Sequence, residues 1–118
     1  MADAAIFVLA EPGSAESIGR LVNALEAGKE FSETQGDHVE VVFDGAATQW
    51  IAELEDESHD YHDLYAAVRD EVVVCDYCAS AYGVDDAVDD SGVTRLDEYD
   101  GHPSVRSFVA DGYEVITF

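Results

Sequence analysis

Two cysteines three residues apart, in Cys75-Asp76-Tyr77-Cys78, are the residues of this chain best suited to chemistry. A thiolate is a nucleophile and a soft metal ligand, and its activity depends on how far the surroundings favour loss of the proton. Cys75 closes the apolar run Val72-Val73-Val74, which reads as a buried strand, and the residues after it read as the start of a helix. A thiol at that junction stands at the carboxyl edge of a sheet, where open α/β folds bind ligands. It also faces a helix N-terminus, whose free N–H groups favour a thiolate. Cys75 is therefore expected to be reachable and activated. Asp76 opposes the activation with its negative charge, and Cys78, one turn into the helix, is expected to be the less exposed of the two.

Three other readings compete for these thiols. Both cysteines could pack as small hydrophobes. They could form a thioredoxin-like dithiol, although that motif follows the first strand of its domain and this one follows the third. They could also join His59 and His62, whose H-x-x-H pattern is separated from Cys75 by twelve residues, in a tetrahedral zinc site. The histidine spacing is one residue short of the usual pairing, and a domain with a full core does not need metal to fold, so the leading reading holds no metal. As exposed polar positions on an acidic loop, His59 and His62 need no ligand at all. His38 reads as the start of a strand, and His102 as a residue ahead of a helix.

No G-x-G-x-x-G, Walker A loop or G-x-S-x-G elbow is present, so nucleotide and serine-hydrolase chemistry lose their main support and no organic cofactor is implied. The abundance of Asp and Glu offers carboxylate pairs everywhere and singles out none. Trp50 could line a pocket above the sheet or belong to the core or an interface.

The elements that would hold Cys75 alternate between strand and helix. Apolar strands are expected at Ala4 to Ala10, His38 to Phe43 and Val72 to Val74, with a weak one at Val93 to Leu96 and a closing one at Tyr113 to Phe118. Between them lie an amphipathic helix from Ala15 to Ala27, with Ile18, Leu21, Val22 and Leu25 on its buried face, and a short helix from Thr48 to Leu54. A helix around Tyr61 to Val68 follows, then helical turns at Ala79 to Tyr82 and Asp85 to Val88, and a last helix from Ser104 to Ala110, with Pro103 in its first turn and Gly112 at its end. Repeated strand–helix units predict one α/β domain over residues 1–118, with three α/β/α layers and a mainly parallel sheet of about five strands.

Composition sets the outer limits. A chain of 118 residues matches one domain, and 47% hydrophobic residues supply a core. Against that core stand 27 Asp and Glu and only five Lys and Arg, a formal charge of -22. Scattered through every amphipathic segment, the acids read as adaptation to a salt-filled cytoplasm, where molar salt cuts the Debye length to about 3 Å. Nucleic-acid binding is disfavoured, because phosphate contacts need clustered Lys and Arg. No run approaches the roughly 20 apolar residues of a membrane span, and the beginning lacks a signal-type pattern, so a cytoplasmic protein is expected. Two cysteines in a reducing compartment point to catalysis, redox or metal binding before a structural disulfide.

The stretch VVVCDYCASAYGV, Val72 to Val84, resembles the DsrE/DsrF-like family, which includes sulfur-relay proteins of the TusBCD type. In that family an apolar strand ends in cysteine, and a glycine and an aliphatic residue stand eight and nine positions later, here Gly83 and Val84. Ala4 to Leu9, VVFDG at Val41 to Gly45 and EVITF at Glu114 to Phe118 are similar to family elements in the same order, so the resemblance covers essentially the whole chain. Relatives often carry a basic residue just before the glycine, where this chain has Tyr82. The resemblance implies a parallel α/β/α domain assembled as a homo-oligomer, a trimer or hexamer. It also implies that Cys75 takes sulfane sulfur from a donor protein as a persulfide and passes it to an acceptor protein. Cys78 would then either resolve the persulfide into a disulfide or pack in its helix.

Overall fold

The β-branched runs form the middle of a five-stranded sheet, all of it parallel, in a computed structural model that describes residues 1–118. The strands are β1 (Asp3–Val8), β2 (His38–Phe43), β3 (Val72–Cys75), β4 (Thr94–Leu96) and β5 (Glu114–Thr117), in the order β4-β3-β2-β1-β5. The three inner strands are almost wholly buried and the two edge strands only partly so, which is why β4 read weakly from the sequence.

Strand order decides where the helices lie. From β1 the chain steps outward through β2, β3 and β4, and right-handed crossovers place α1 (Ala15–Glu33), α2 (Trp50–Leu54), α3 (His62–Val68), α4 (Asp76–Ala81) and α5 (Asp85–Ser91) on one side. The last connection runs back across the sheet to β5 beside β1, so its helix, α6 (Val105–Ala110), covers the opposite face. The result is a three-layer α/β/α domain with unequal layers. Residues alternating toward the α1 side, such as Ile6, Val41, Phe43 and Val74, join Leu21, Trp50 and Tyr65 in a core of 19 buried residues. Those alternating the other way, Ala5, Phe7, Val42 and Val73, form a cluster of five buried residues with Phe108 of α6, edged by the partly buried Leu96, Tyr113 and Val115.

Three expectations need correction. The helix expected to end at Ala27 continues to Glu33, because Gly28 is a packing residue and not a stop. A Cβ there would come within 2.8 Å of Val41 Cγ2, so the glycine lets α1 lie directly on β2. The buried face of α1 is Ser17, Leu21, Ala24, Leu25 and Gly28, while Ile18 points outward. Pro103 lies before α6, whose cap is Ser104, its hydroxyl accepting from Ser107 N–H.

Candidate functional site

Sheet register brings the first two residues of the site together. Phe43 of β2 pairs with Val74 of β3, so the next residues along, Asp44 and Cys75, stand level at the carboxyl ends of adjacent strands. By strand alternation Cys75 continues the face of Val73, and Asp44 that of Val42, the thinly covered side of the sheet. Asp44 is fixed by its backbone N–H, which donates to Val8 carbonyl, and its Oδ1 accepts from Gly45 N–H at 2.8 Å as the chain turns into a 3-10 segment, Gly45–Gln49.

Cys75 is also the cap of α4. Its Sγ accepts from Cys78 N–H at 3.4 Å, and Cys78 Sγ–H donates to Asp44 Oδ1 at 3.4 Å. The helix is anchored by Arg95 on β4, whose guanidinium pairs with Asp76 at 2.7 Å, Asp85 at 2.6 Å and Asp89 at 2.9 Å. Arg95 thus locks the starts of α4 and α5 to the sheet edge and draws the Asp76 charge toward itself.

The fourth member of the site comes from the loop after β4. Tyr99 and His102 exchange two backbone hydrogen bonds, of 2.9 and 2.8 Å, across Asp100 and Gly101, both with positive φ, 50° and 86°. This is a type I′ turn, for which Asp-Gly is the favoured dipeptide. The turn is docked on α4: Gly101 carbonyl accepts from Tyr77 N–H at 2.8 Å, and the His102 ring packs on Tyr77 with centroids 4.7 Å apart. His102 Nδ1 then lies 3.4 Å from Cys75 Sγ. One donor atom from each of Asp44, Cys75, Cys78 and His102 falls within 4.8 Å of all the others.

Burial reverses two expectations. Cys75 is 0% exposed and Cys78 9%, so the first cysteine is the more enclosed, because β3 is an inner strand and the His102 turn closes over its end. Desolvation pushes the Cys75 thiol up to about 12; the Cys78 N–H works against that shift and the Asp44 carboxylate adds to it. Cys78 is also raised, first by burial. The helix N-terminus does not win here: α4 is only six residues long and offers Cys75 one N–H···S contact. Cys75 does stand at the carboxyl edge, on β3, two strands over from β1 and the β1/β5 point where the strand order reverses.

The zinc set His59, His62, Cys75 and Cys78 is not assembled. His59, in the connection from α2 to α3, accepts from Tyr61 N–H and packs on Trp50, and His62, the first residue of α3, has Nδ1 2.7 Å from Leu54 carbonyl. Trp50 is a core residue, its indole N–H donating to Ala10 carbonyl at 2.8 Å. Asp44 and His102 are the site residues the sequence reading missed. The Asp100-Gly101 dipeptide was the available signal for His102, since it marks a tight turn that must fold back on whatever precedes it.

Residues 4–118 match the DsrE/DsrF-like family. An uncharacterised protein of Methanocaldococcus jannaschii is 31% identical over 83 residues, a stretch that spans 70% of this chain and 67% of that protein. The solved structure of a conserved protein of unknown function from Bacteroides thetaiotaomicron superposes with a TM-score of 0.62 over 97% of this chain and 94% of its own. At 12% identity that likeness concerns the fold. No helix is long and apolar enough to cross a membrane. Because the family match runs from the first strand through the last, the chain belongs to the DsrE/DsrF-like family.

Proposed function

We propose that this protein is a sulfur-relay carrier, which holds sulfane sulfur as a persulfide on Cys75 and hands it to a partner protein. Family membership, associated with sulfur relay, supports the reaction class. The observation that carries the proposal for this chain is the 3.4 Å contact between Cys75 Sγ and His102 Nδ1. A buried thiol needs a destination for its proton before it can attack, and a neutral imidazole at that distance provides one.

In the loading step the Cys75 proton moves to His102 and the thiolate attacks the outer sulfur of a donor persulfide. The donor's S–S bond breaks as the new one forms on Cys75, and the departing donor thiolate takes up the proton, so nothing is oxidised overall. Transfer to an acceptor thiolate repeats the exchange in the opposite sense. Where no acceptor is docked, the Cys78 thiolate attacks Cys75 Sγ, releases sulfide and leaves a Cys75–Cys78 disulfide. The enclosed Cys75 requires the Tyr99–His102 turn to move aside. The surface around that turn suits a docking protein: Tyr77 and Tyr99 are exposed, and a concavity of about 400 Å³ runs along Tyr99, Pro103 and Val105. Homo-oligomeric assembly and a reducing cytoplasmic setting belong to the same reading.

Incubation with polysulfide in high salt should add mass in steps of one sulfur atom, removable by dithiothreitol. A chain that gains no mass while its fold is intact is not a carrier. One observation favours a second reading, an interaction subunit with structural cysteines: Cys75 is fully buried. In that case neither thiol reacts until the chain unfolds.

A further inference from the structure

The geometry points to Asp44 Oδ1, Cys75 Sγ, Cys78 Sγ and His102 Nδ1 as a binding site for one thiophilic divalent cation, zinc above all. These four atoms lie within 4.8 Å of one another, and two of the separations, Cys75 to His102 and Cys78 to Asp44, are 3.4 Å. Zinc held tetrahedrally with Zn–S near 2.3 Å and Zn–N or Zn–O near 2.0–2.1 Å sets its ligands about 3.3–3.8 Å apart, so small side-chain rotations complete the cage. The donors are of the right kind, two soft sulfurs with an imidazole and a carboxylate, a set that favours zinc over magnesium or calcium.

Three separate elements deliver the donors. Asp44 directly follows β2, the cysteines span the β3–α4 junction, and His102 sits on the type I′ turn after β4. Two of them already have the backbone bonds that orient ligands in metal sites: Asp44 Oδ1 accepts from Gly45 N–H and Cys75 Sγ from Cys78 N–H. Charge points the same way. Asp44 forms no ion pair with any Lys or Arg, and the hydrogen-bond partners of its carboxylate are Gly45 N–H and the Cys78 thiol. With both thiols ionised, the four ligands carry three negative charges, and a divalent ion compensates two of them. The cysteines are enclosed, while Asp44 and His102 are only half-buried and leave a way in for the ion.

The proposal does not depend on sulfur carriage. It does predict that metal and persulfide exclude each other, since both use the Cys75 and Cys78 sulfurs.

The test uses reduced, chelator-treated protein in high salt, titrated with cobalt(II) as a spectroscopic stand-in. Intense visible bands of tetrahedral cobalt with thiolate charge transfer should saturate at one ion per chain, and zinc should displace them. Excess magnesium, which fills the acidic surface, should leave them unchanged. His102→Ala and Asp44→Asn should each weaken zinc binding by more than about tenfold, the scale at which even outer-shell partners act. Both substituted residues lie outside the buried core, and circular dichroism should show both variants folded. His62→Gln should bind as the parent does. Weak octahedral bands, or binding indifferent to both His102→Ala and Asp44→Asn, would overturn the site, whether or not Cys75 accepts sulfur.

Discussion

Cys75 shows what burial does to a strand-end thiol. Its position at the carboxyl edge follows from sequence, but its chemistry is set by what covers it. Only the thiolate reacts, and burial that pushes the thiol up to about 12 leaves little thiolate at neutral pH. Iodoacetamide should therefore modify native Cys75 far more slowly than an exposed thiol, with a rate that climbs about tenfold per pH unit from pH 7 to 10. A flat profile would mean that the imidazole already holds the proton. The same shift gives a stability prediction. A thiol raised in the folded state favours folding while it stays protonated, so this contribution is complete below the ordinary value of 9.0 and is lost as pH rises from there toward about 12. In chemical denaturation the parent should lose stability with rising pH above pH 9 while Cys75→Ser loses less, so that the two pH profiles part there if Cys75 is the source.

Two glycines carry separate duties at the scale of elements. Gly28→Ala gains roughly 1 kcal/mol of helix propensity, but its Cβ meets Val41 Cγ2 at 2.8 Å inside a core whose overpacking costs about 1–3 kcal/mol. Overpacking should win, with a net loss of about 1 kcal/mol in denaturant titrations and no change at the thiols. Gly101→Ala acts oppositely. Its φ of 86° is strained for alanine by about 1–2 kcal/mol, and the new Cβ would stand 3.3 Å from Tyr77 Cβ. The turn should loosen, with little loss of global stability but several-fold faster alkylation of Cys75. These positions also show why the sequence could be read only in part. Strands β1, β2 and β3 were legible because buried parallel strands must be continuously apolar, and Cys75 was placed by the one that precedes it. The helix expected to end at Ala27 runs on through Gly28 because the packing of that glycine against Val41 is a long-range fact. Asp44 and His102 went unnoticed because their partner is a residue far along the chain, brought level only by the β2–β3 register and a turn folded back over α4.

At the scale of the whole molecule, no Asp or Glu is buried, so nearly all of the -22 charge lies at or near the surface. Five cations cannot offset it, and three carboxylates share Arg95 alone. Self-repulsion of this size is long-ranged at low ionic strength and shrinks as the Debye length falls from about 10 Å at 0.1 M to about 3 Å at 1 M salt. The melting temperature should rise steeply between dilute buffer and molar potassium chloride; an unchanged value would remove the case for adaptation to salt. Light scattering in the same buffer should give a multiple of 12.8 kDa, since α6 leaves Val105 and Val109 exposed on the thinly covered side. A monomer across micromolar concentrations would contradict that assembly.

Sulfur carriage at Cys75 is tested most directly by peptide mass spectrometry after polysulfide treatment, comparing the parent chain with Cys75→Ser and Cys78→Ser. Added sulfur is expected on Cys75 in the parent and in Cys78→Ser, where it should persist longer because no neighbouring thiol resolves it, and Cys75→Ser should carry none. Loading that survives in Cys75→Ser and disappears in Cys78→Ser would contradict the assignment, and would make the slightly exposed Cys78 the carrier.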